Sequence, residues 1–312
     1  MTNQNKKRAR GYRGPAPAEP RSESSTPPSR RGFLDGLLSP RHADSAMPKK
    51  STSVGRGFIT AASSPVIVGS TIVAVFAGWT LFVALGFQGP FALMTSFLAL
   101  PPLGTVFDSG LVGRLFHLPP TVSIFGLIAL RSLLLAVFTS LVLDALTGVR
   151  QDRWSIVRGL KILPVTLAVN ILALGLTIAT RILGAILGAG LGFLAVVATL
   201  VGGVYLFAFA PVIALSEGRG VAESLSRSLR AARMPGTTNL AFAAFYGLAM
   251  FAVLFGSGGG KLGVNPSPQG WAVVLFVNFL QVAIMGAFAF RYLSVADEVP
   301  DAPARKPRSA RR

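Results

Sequence analysis

Six apolar runs recur along this chain, each long enough for a helix to cross a hydrocarbon layer of ~30 Å, which takes about 20 residues at 1.5 Å each. They extend approximately from Pro65 to Phe87, Thr121 to Leu146, Ile162 to Thr180, Leu187 to Leu215, Leu240 to Phe255 and Gly270 to Leu293. Inside a bilayer every backbone N–H and C=O must be satisfied within the protein, and a helix does this within its own segment. The pattern therefore predicts an all-α, polytopic transmembrane helix bundle of six spans. A content of 51% apolar and 13% charged residues agrees, because a water-soluble surface needs more charge than this.

A seventh apolar run, Phe91 to Phe107, is broken by Pro101-Pro102. Lys and Arg near span ends favour the cytoplasmic side, and counting them decides the topology. Six spans place 26 cations inside, against Arg114, Arg181 and Lys261 outside, with Arg131 within a span. Seven spans give 15 inside against 14 outside. The six-span arrangement follows, with both termini cytoplasmic, in the cytoplasmic (plasma) membrane of a bacterium. Residues 91–107 are then a re-entrant or interfacial element on the outer side.

Residues 1–53 are rich in Pro, Ser, Arg and Lys and read as a disordered basic cytoplasmic tail. Residues 294–312 read as a second, shorter one. Ser29 to Leu34 has the core of a twin-arginine export signal, but Asp35-Gly36, Pro40 and Arg41 interrupt the apolar run that must follow. A dozen Lys and Arg precede the first span. Each cation near an anionic leaflet contributes about 1 kcal/mol, so the expected partners of the tails are anionic lipid headgroups rather than nucleic acid. Phe33, Leu34, Leu37 and Leu38 offer one short docking turn.

Between the tails the chain repeats one arrangement three times. A short basic amphipathic stretch precedes spans one, three and five: Val54 to Pro65, Arg150 to Lys161 and Arg219 to Arg233. In the second, Trp154, Val157 and Leu160 share a helical face edged by Arg153, Arg158 and Lys161. In the third, Val221, Leu225, Leu229 and Ala232 do so beside Arg227, Arg230 and Arg233. Helices of this type lie in the headgroup plane with the cations toward lipid phosphate. Arg153, Trp154, Arg158, Arg227, Arg230 and Arg233 are thus expected to contact the lipid surface, in three units of interfacial helix plus transmembrane hairpin (54–293).

The stretch from Ala210 to Arg230 resembles the cytoplasmic signature of a broad bacterial and archaeal family: a Pro-containing span end, Glu217-Gly218, then an amphipathic helix bearing Ser224, Ser226, Arg227 and Ser228. That family comprises six-helix integral membrane proteins related to the membrane domain of glycerophosphodiester phosphodiesterases. Leu229 stands where the family often has Trp. The resemblance implies a membrane domain without phosphodiesterase activity, since no soluble stretch here is long enough for a hydrolase domain.

Ionisable and amide side chains inside spans are costly and mark candidate sites. Arg131, Asn170, Asn278 and Gln281 form a possible intramembrane polar cluster, lining a path or gluing helices together. Arg131 either sits near the midplane or snorkels to the outer interface, according to where span two begins. Asp144 is expected to meet Arg150 or Arg153. Gly184, Gly188 and Gly192, at four-residue spacing, suggest a small-residue face for helix packing, within the chain or in a homo-oligomer. No carboxylate pair, Ser/His/Asp set or metal-binding His motif lies in a span, and the chain has no cysteine. Neither an enzyme nor a cofactor is expected. The sequence suggests a membrane or envelope organiser or an accessory membrane subunit, with a membrane-protein partner or a second copy of the chain as its expected protein contact; the alternative is a small permease or lipid-handling transporter.

Overall fold

A computed structural model describes residues 50–87, 110–234, 240–241, 243–245, 247 and 267–299. All belong to one of the chain's two compact units, Arg41–Arg312. The first unit, and with it the tail docking turn, lies outside the described residues, as do residues 91–107 and 300–312.

The described chain is a helical bundle. Its helices are α1 (Lys50–Ser63), α2 (Pro65–Ala84), α3 (Gly110–Phe116), α4 (Pro120–Thr147), α5 (Arg153–Lys161), α6 (Leu163–Leu187), α7 (Ala189–Phe207), α8 (Ala210–Glu217), α9 (Val221–Ala232) and α10 (Pro268–Leu293). Among the described residues five helical stretches are long and apolar enough to cross a membrane: α2, α4, α6, α7 continued through α8, and α10. Local chemistry sets their ends. Ser64 caps α2 by accepting from the Ile67 N–H at 3.2 Å, and Ser267 caps α10 through the Gly270 N–H at 3.1 Å. Proline follows each cap, where its missing N–H costs nothing. Gly148 closes α4 and Gly218 closes α8 in the left-handed conformation.

Contacts fix the directions. Trp79 packs on Trp271 with ring centroids 5.3 Å apart, and Leu85 lies against Gly126, so α2 ends where α4 and α10 begin. At the other end Ser64 donates to Gln151, just past α4. α2 is therefore antiparallel to α4 and α10, which run parallel to each other. Gly86 and Gly110 meet so closely that a Cβ on Gly110 would lie 2.4 Å from the Gly86 nitrogen. The chain thus leaves α2 and enters α3 at one end of the bundle, as six spans require. Of the expected span Leu240–Phe255 only 240–241, 243–245 and 247 are described; they are helical, Ala243 is buried, and Gly247 packs on Leu200 and Val201 of α7.

α4 and α10 form the centre: their apolar stretches are mostly buried, whereas those of the other three spanning stretches are mostly uncovered. Val142, Phe138 and Leu127 of α4 share one core with Val282, Ala287 and Phe288 of α10. The outer helices keep large apolar side chains exposed, among them Val73 on α2, Ile182 on α6 and Leu194 on α7. α1 is docked closely on α10. A Cβ on Gly57 would meet the Ala283 carbonyl at 2.2 Å, and Gly286 lies against Gly57 in turn. This is backbone approach through small residues.

Two expected boundaries shift. The expected span three does not stop at Thr180: α6 runs to Leu187, and the turn into α7 is made by Gly188 at φ +83. Gly184, Gly188 and Gly192 are consequently not a stripe along one helix. Gly184 on α6 and Gly192 on α7 face each other across the hairpin, where a Cβ on Gly192 would meet the Gly184 Cα at 2.7 Å. The fold also continues past Leu293 through a 3-10 turn, Ala296–Glu298, with Val295 and Val299 buried.

Candidate functional site

Polar side chains gather at two places in this apolar bundle. The first is at mid-height. Thr139 of α4 meets the Met285 sulfur of α10 at 3.6 Å. Counting back from that contact, Arg131 is about 12 Å and Asn278 about 10 Å along their parallel helices, so they share one level. The Thr166 hydroxyl of α6 donates to the Ser132 carbonyl at 2.9 Å, bringing Asn170 within about a turn of the same level. Arg131, Asn170, Asn278 and Gln281 are all buried, Arg131 with 2% of its surface exposed. Of its two expected positions, the structure selects the one inside the bundle, about 16 Å from the start of α4. The amides use nearby backbone: Asn170 donates to the Thr166 carbonyl at 2.9 Å and Asn278 to the Val274 carbonyl at 2.8 Å. Ser132 and Thr139 likewise donate one turn back, to Ile128 and Leu135.

The second place is the end of the bundle where α4 and α10 terminate, called here the basic end. Its centre is Arg227 of α9, expected to contact lipid and instead buried. Its guanidinium donates through Nε to Glu217 at 3.0 Å and to the Tyr292 hydroxyl at 3.0 Å. It also donates through Nη1 to the Val299 carbonyl at 3.0 Å and through Nη2 to the Ala296 carbonyl at 2.9 Å. Glu217 further accepts from the Tyr292 hydroxyl, and from Arg219 Nε at 2.5 Å. Burial works against the charge of Arg227, but the Tyr292 hydrogen bond and the Glu217 carboxylate outweigh it and raise an already high pKa. One side chain thereby joins the end of α8, the last turn of α10 and the C-terminal 3-10 turn.

The physical reason lies in the inner face of α9, which is Ser224, Arg227, Ser228, Ala231 and Ala232; of the expected apolar row only Ala232 belongs to it. Small residues let the helix sit close enough for Ser228 to donate to the Leu206 carbonyl at 2.7 Å. Val221, Leu225 and Leu229 are only partly covered, Arg230 is half-buried and Arg233 is exposed. Arg227 is therefore a structural tie, and the lipid-contact expectation for it is corrected.

α5 turns the other way. Asp152 and Ser155 form a capping box, Asp152 accepting from the Trp154 N–H at 2.8 Å and Ser155 from the Asp152 N–H at 3.2 Å. Ser155 and Gly159 face α4 so tightly that a Cβ on Gly159 would lie 2.7 Å from the Ala136 carbonyl. Arg153, Trp154 and Lys161 are exposed, and the Arg153 guanidinium lies over the Trp154 ring, 5.7 Å from its centroid. Asp144 pairs with Arg158, at 2.7 Å, rather than with Arg150 or Arg153. Arg158 directly precedes Gly159, which touches α4, and its long side chain reaches the Asp144 carboxylate.

Sequence reasoning did not find Tyr292 or Ala296 and Val299 as partners of Arg227. The signal available was Glu217 at a helix end ahead of an Arg-bearing helix. Among the described residues no group of three or more His, Asp or Glu could hold a metal ion. No family model, no curated protein and no solved structure matches this chain.

Proposed function

We propose that this chain is a multi-pass protein of the cytoplasmic membrane, its basic end and both termini toward the cytoplasm, with a non-catalytic role in membrane or envelope organisation or as an accessory subunit. The observation that carries the non-catalytic role is the use made of the mid-height polar groups. Asn170, Asn278, Ser132 and Thr139 each donate to the carbonyl one turn back in their own helix, and Thr166 donates across from α6 to the Ser132 carbonyl of α4, so these donors are spent on the bundle's own backbone. The orientation rests on charge: Arg150, Arg153, Arg158, Lys161, Arg219, Arg227, Arg230 and Arg233 stand at one end and Arg114 at the other. The resemblance of Ala210 to Arg230 to the signature of the six-helix family supports the same reading.

The orientation is tested with single cysteines, since the chain has none of its own. In whole cells Leu115→Cys should react with an impermeant maleimide, and Arg153→Cys only after lysis; the reverse pattern sinks the orientation. The buried cation at mid-height favours one second reading, a small permease or lipid-handling transporter, because intramembrane Arg residues often line substrate paths. Arg131→Ala separates the two. A lower folded yield supports the scaffold, whereas normal yield with loss of solute or lipid movement in reconstituted vesicles supports the transporter.

A further inference from the structure

α5 has three faces, and their placement along the bundle is informative. Gln151, just before the helix, donates to the Leu141 carbonyl at 2.8 Å, and Gly159, near its end, touches Ala136. Leu141 and Ala136 are about 7 Å apart along α4, so α5 lies obliquely within a thin layer. Two rulers say which layer it is. About 20 residues of helix cross the hydrocarbon, and that length counted from Pro120 reaches Thr139, between Ala136 and Leu141. α2 is itself 20 residues long, and Ser64 at its start bonds Gln151. Both rulers put α5 at the edge of the hydrocarbon.

With Ser155 and Gly159 against α4, the opposite arc carries Ile156, Val157 and Leu160, 47%, 43% and 42% exposed, and Trp154 beside them at 59%. Arg150, Arg153 and Lys161 are exposed around this arc. The nearest acids do not cancel them, because Asp152 caps the helix and Asp144 is paired with Arg158. Aliphatic side chains suit acyl chains, an indole suits the ester level, and exposed cations suit phosphate.

We propose that α5 is a recognition surface for anionic glycerophospholipid headgroups: Ile156, Val157 and Leu160 enter the acyl region, and Arg153 and Lys161, with Arg150, engage the lipid phosphates. This rests on the membrane reading above and adds to it a ligand class and the residues that select it. Arg227 of α9 is not part of such a surface, being committed to Glu217, Tyr292 and the C-terminal turn.

Tryptophan quenching tests it. The chain has three Trp, and Trp79→Phe with Trp271→Phe leaves Trp154 as the reporter. The protein is reconstituted into phosphatidylcholine vesicles containing either brominated phosphatidylcholine or brominated phosphatidylglycerol. Trp154 should be quenched by both, with an apparent preference for the anionic lipid of about fivefold, which ~1 kcal/mol of headgroup attraction produces. Arg153→Ala with Lys161→Ala should bring the preference close to unity. Equal quenching by the two lipids in the unsubstituted helix overturns the proposal, as does an unquenched Trp154, the outcome if water or a partner protein covers α5. A Trp placed instead at Phe276, 62% exposed on α10, reports the bilayer itself. If it is quenched while Trp154 is silent, only the α5 proposal fails; if both are silent, the membrane reading fails. Should the double Phe variant fold poorly, the difference in quenching between the native protein and Trp154→Phe carries the same comparison.

Discussion

α5 and α9 are two short basic amphipathic helices at the same end of one bundle, and they direct their cations oppositely. α9 buries Arg227 beneath itself and leaves its aliphatic row partly covered. α5 buries Ser155 and Gly159 and leaves Trp154, Ile156, Val157 and Leu160 outside. In both, the small residues choose the inner face, because only there can backbones approach closely enough for van der Waals packing and short polar contacts. The charge then follows the acid. Glu217 ends the helix directly before α9 and waits under it, whereas the only acid facing α5 from α4, Asp144, reaches Arg158 at the edge. Amphipathicity predicts that a helix forms at a surface; the position of small residues and of one carboxylate decides which side is the surface.

The largest effect should come from removing the buried cation. Arg227→Ala leaves the Glu217 carboxylate, the Tyr292 hydroxyl and two turn carbonyls without their shared donor. Deleting one partner of such a buried pair costs about 3–5 kcal/mol, to be read as a shift in the midpoint of a detergent-unfolding titration. Arg227→Lys should recover only part of this, since one ammonium cannot reproduce the guanidinium fork. Arg153→Ala, the counterpart on α5, should change stability by less than about 0.5 kcal/mol. Similar losses for Arg153→Ala and Arg227→Ala would break the contrast.

A smaller effect is expected at the inner face of α5. In Gly159→Ala the new Cβ must displace backbone, the Ala136 carbonyl at 2.7 Å and the Val137 Cα at 2.9 Å, rather than a flexible side chain. Overpacking of this kind costs about 1–3 kcal/mol. Moving α5 off α4 should also raise the reactivity of a cysteine placed at Ser155, which is fully buried. Unchanged reactivity with unchanged stability would show that the close approach does not hold the helix.

How much of this could be read beforehand follows from how far apart the determinants lie. The start of the first span was legible because Ser64-Pro65 is a local signal, whereas the last span, read from Gly270, begins at Pro268; of the short helices, α5 and α9 were legible as helices and α3 was not. The turn at Gly188 was not: α6 and α7 are both continuously apolar, and Arg181, which lies within α6, suggested a loop that is not there. The Arg227 tie was hidden because Tyr292 and Val299 are 65 and 72 residues away, brought in only when α10 packs. Val295 and Val299, set among Asp297 and Glu298, resembled tail until their burial was known. The level shared by Arg131, Asn170 and Asn278 needed helix register, which periodicity alone does not fix.

The smallest effect concerns the one residue at which α5 behaves like α9. Arg158 meets Asp144 at 2.7 Å, yet its side chain is 39% exposed while that of Asp144 is 5% exposed. Solvent therefore reaches the cation but hardly the carboxylate, and the pair sits between a surface bridge and a buried one. A double-mutant cycle of Arg158→Ala with Asp144→Asn should give a coupling of about 0.5–1 kcal/mol, falling as salt screens the exposed partner. The cycle of Arg227→Ala with Glu217→Gln should give a larger coupling that salt hardly changes, since the side chain of Arg227 is only 7% exposed. Equal couplings, or equal salt dependence, would mean that the two helices meet the same electrostatic environment despite their opposite burial, and the distinction between lipid-facing and protein-facing cations would then lose its basis.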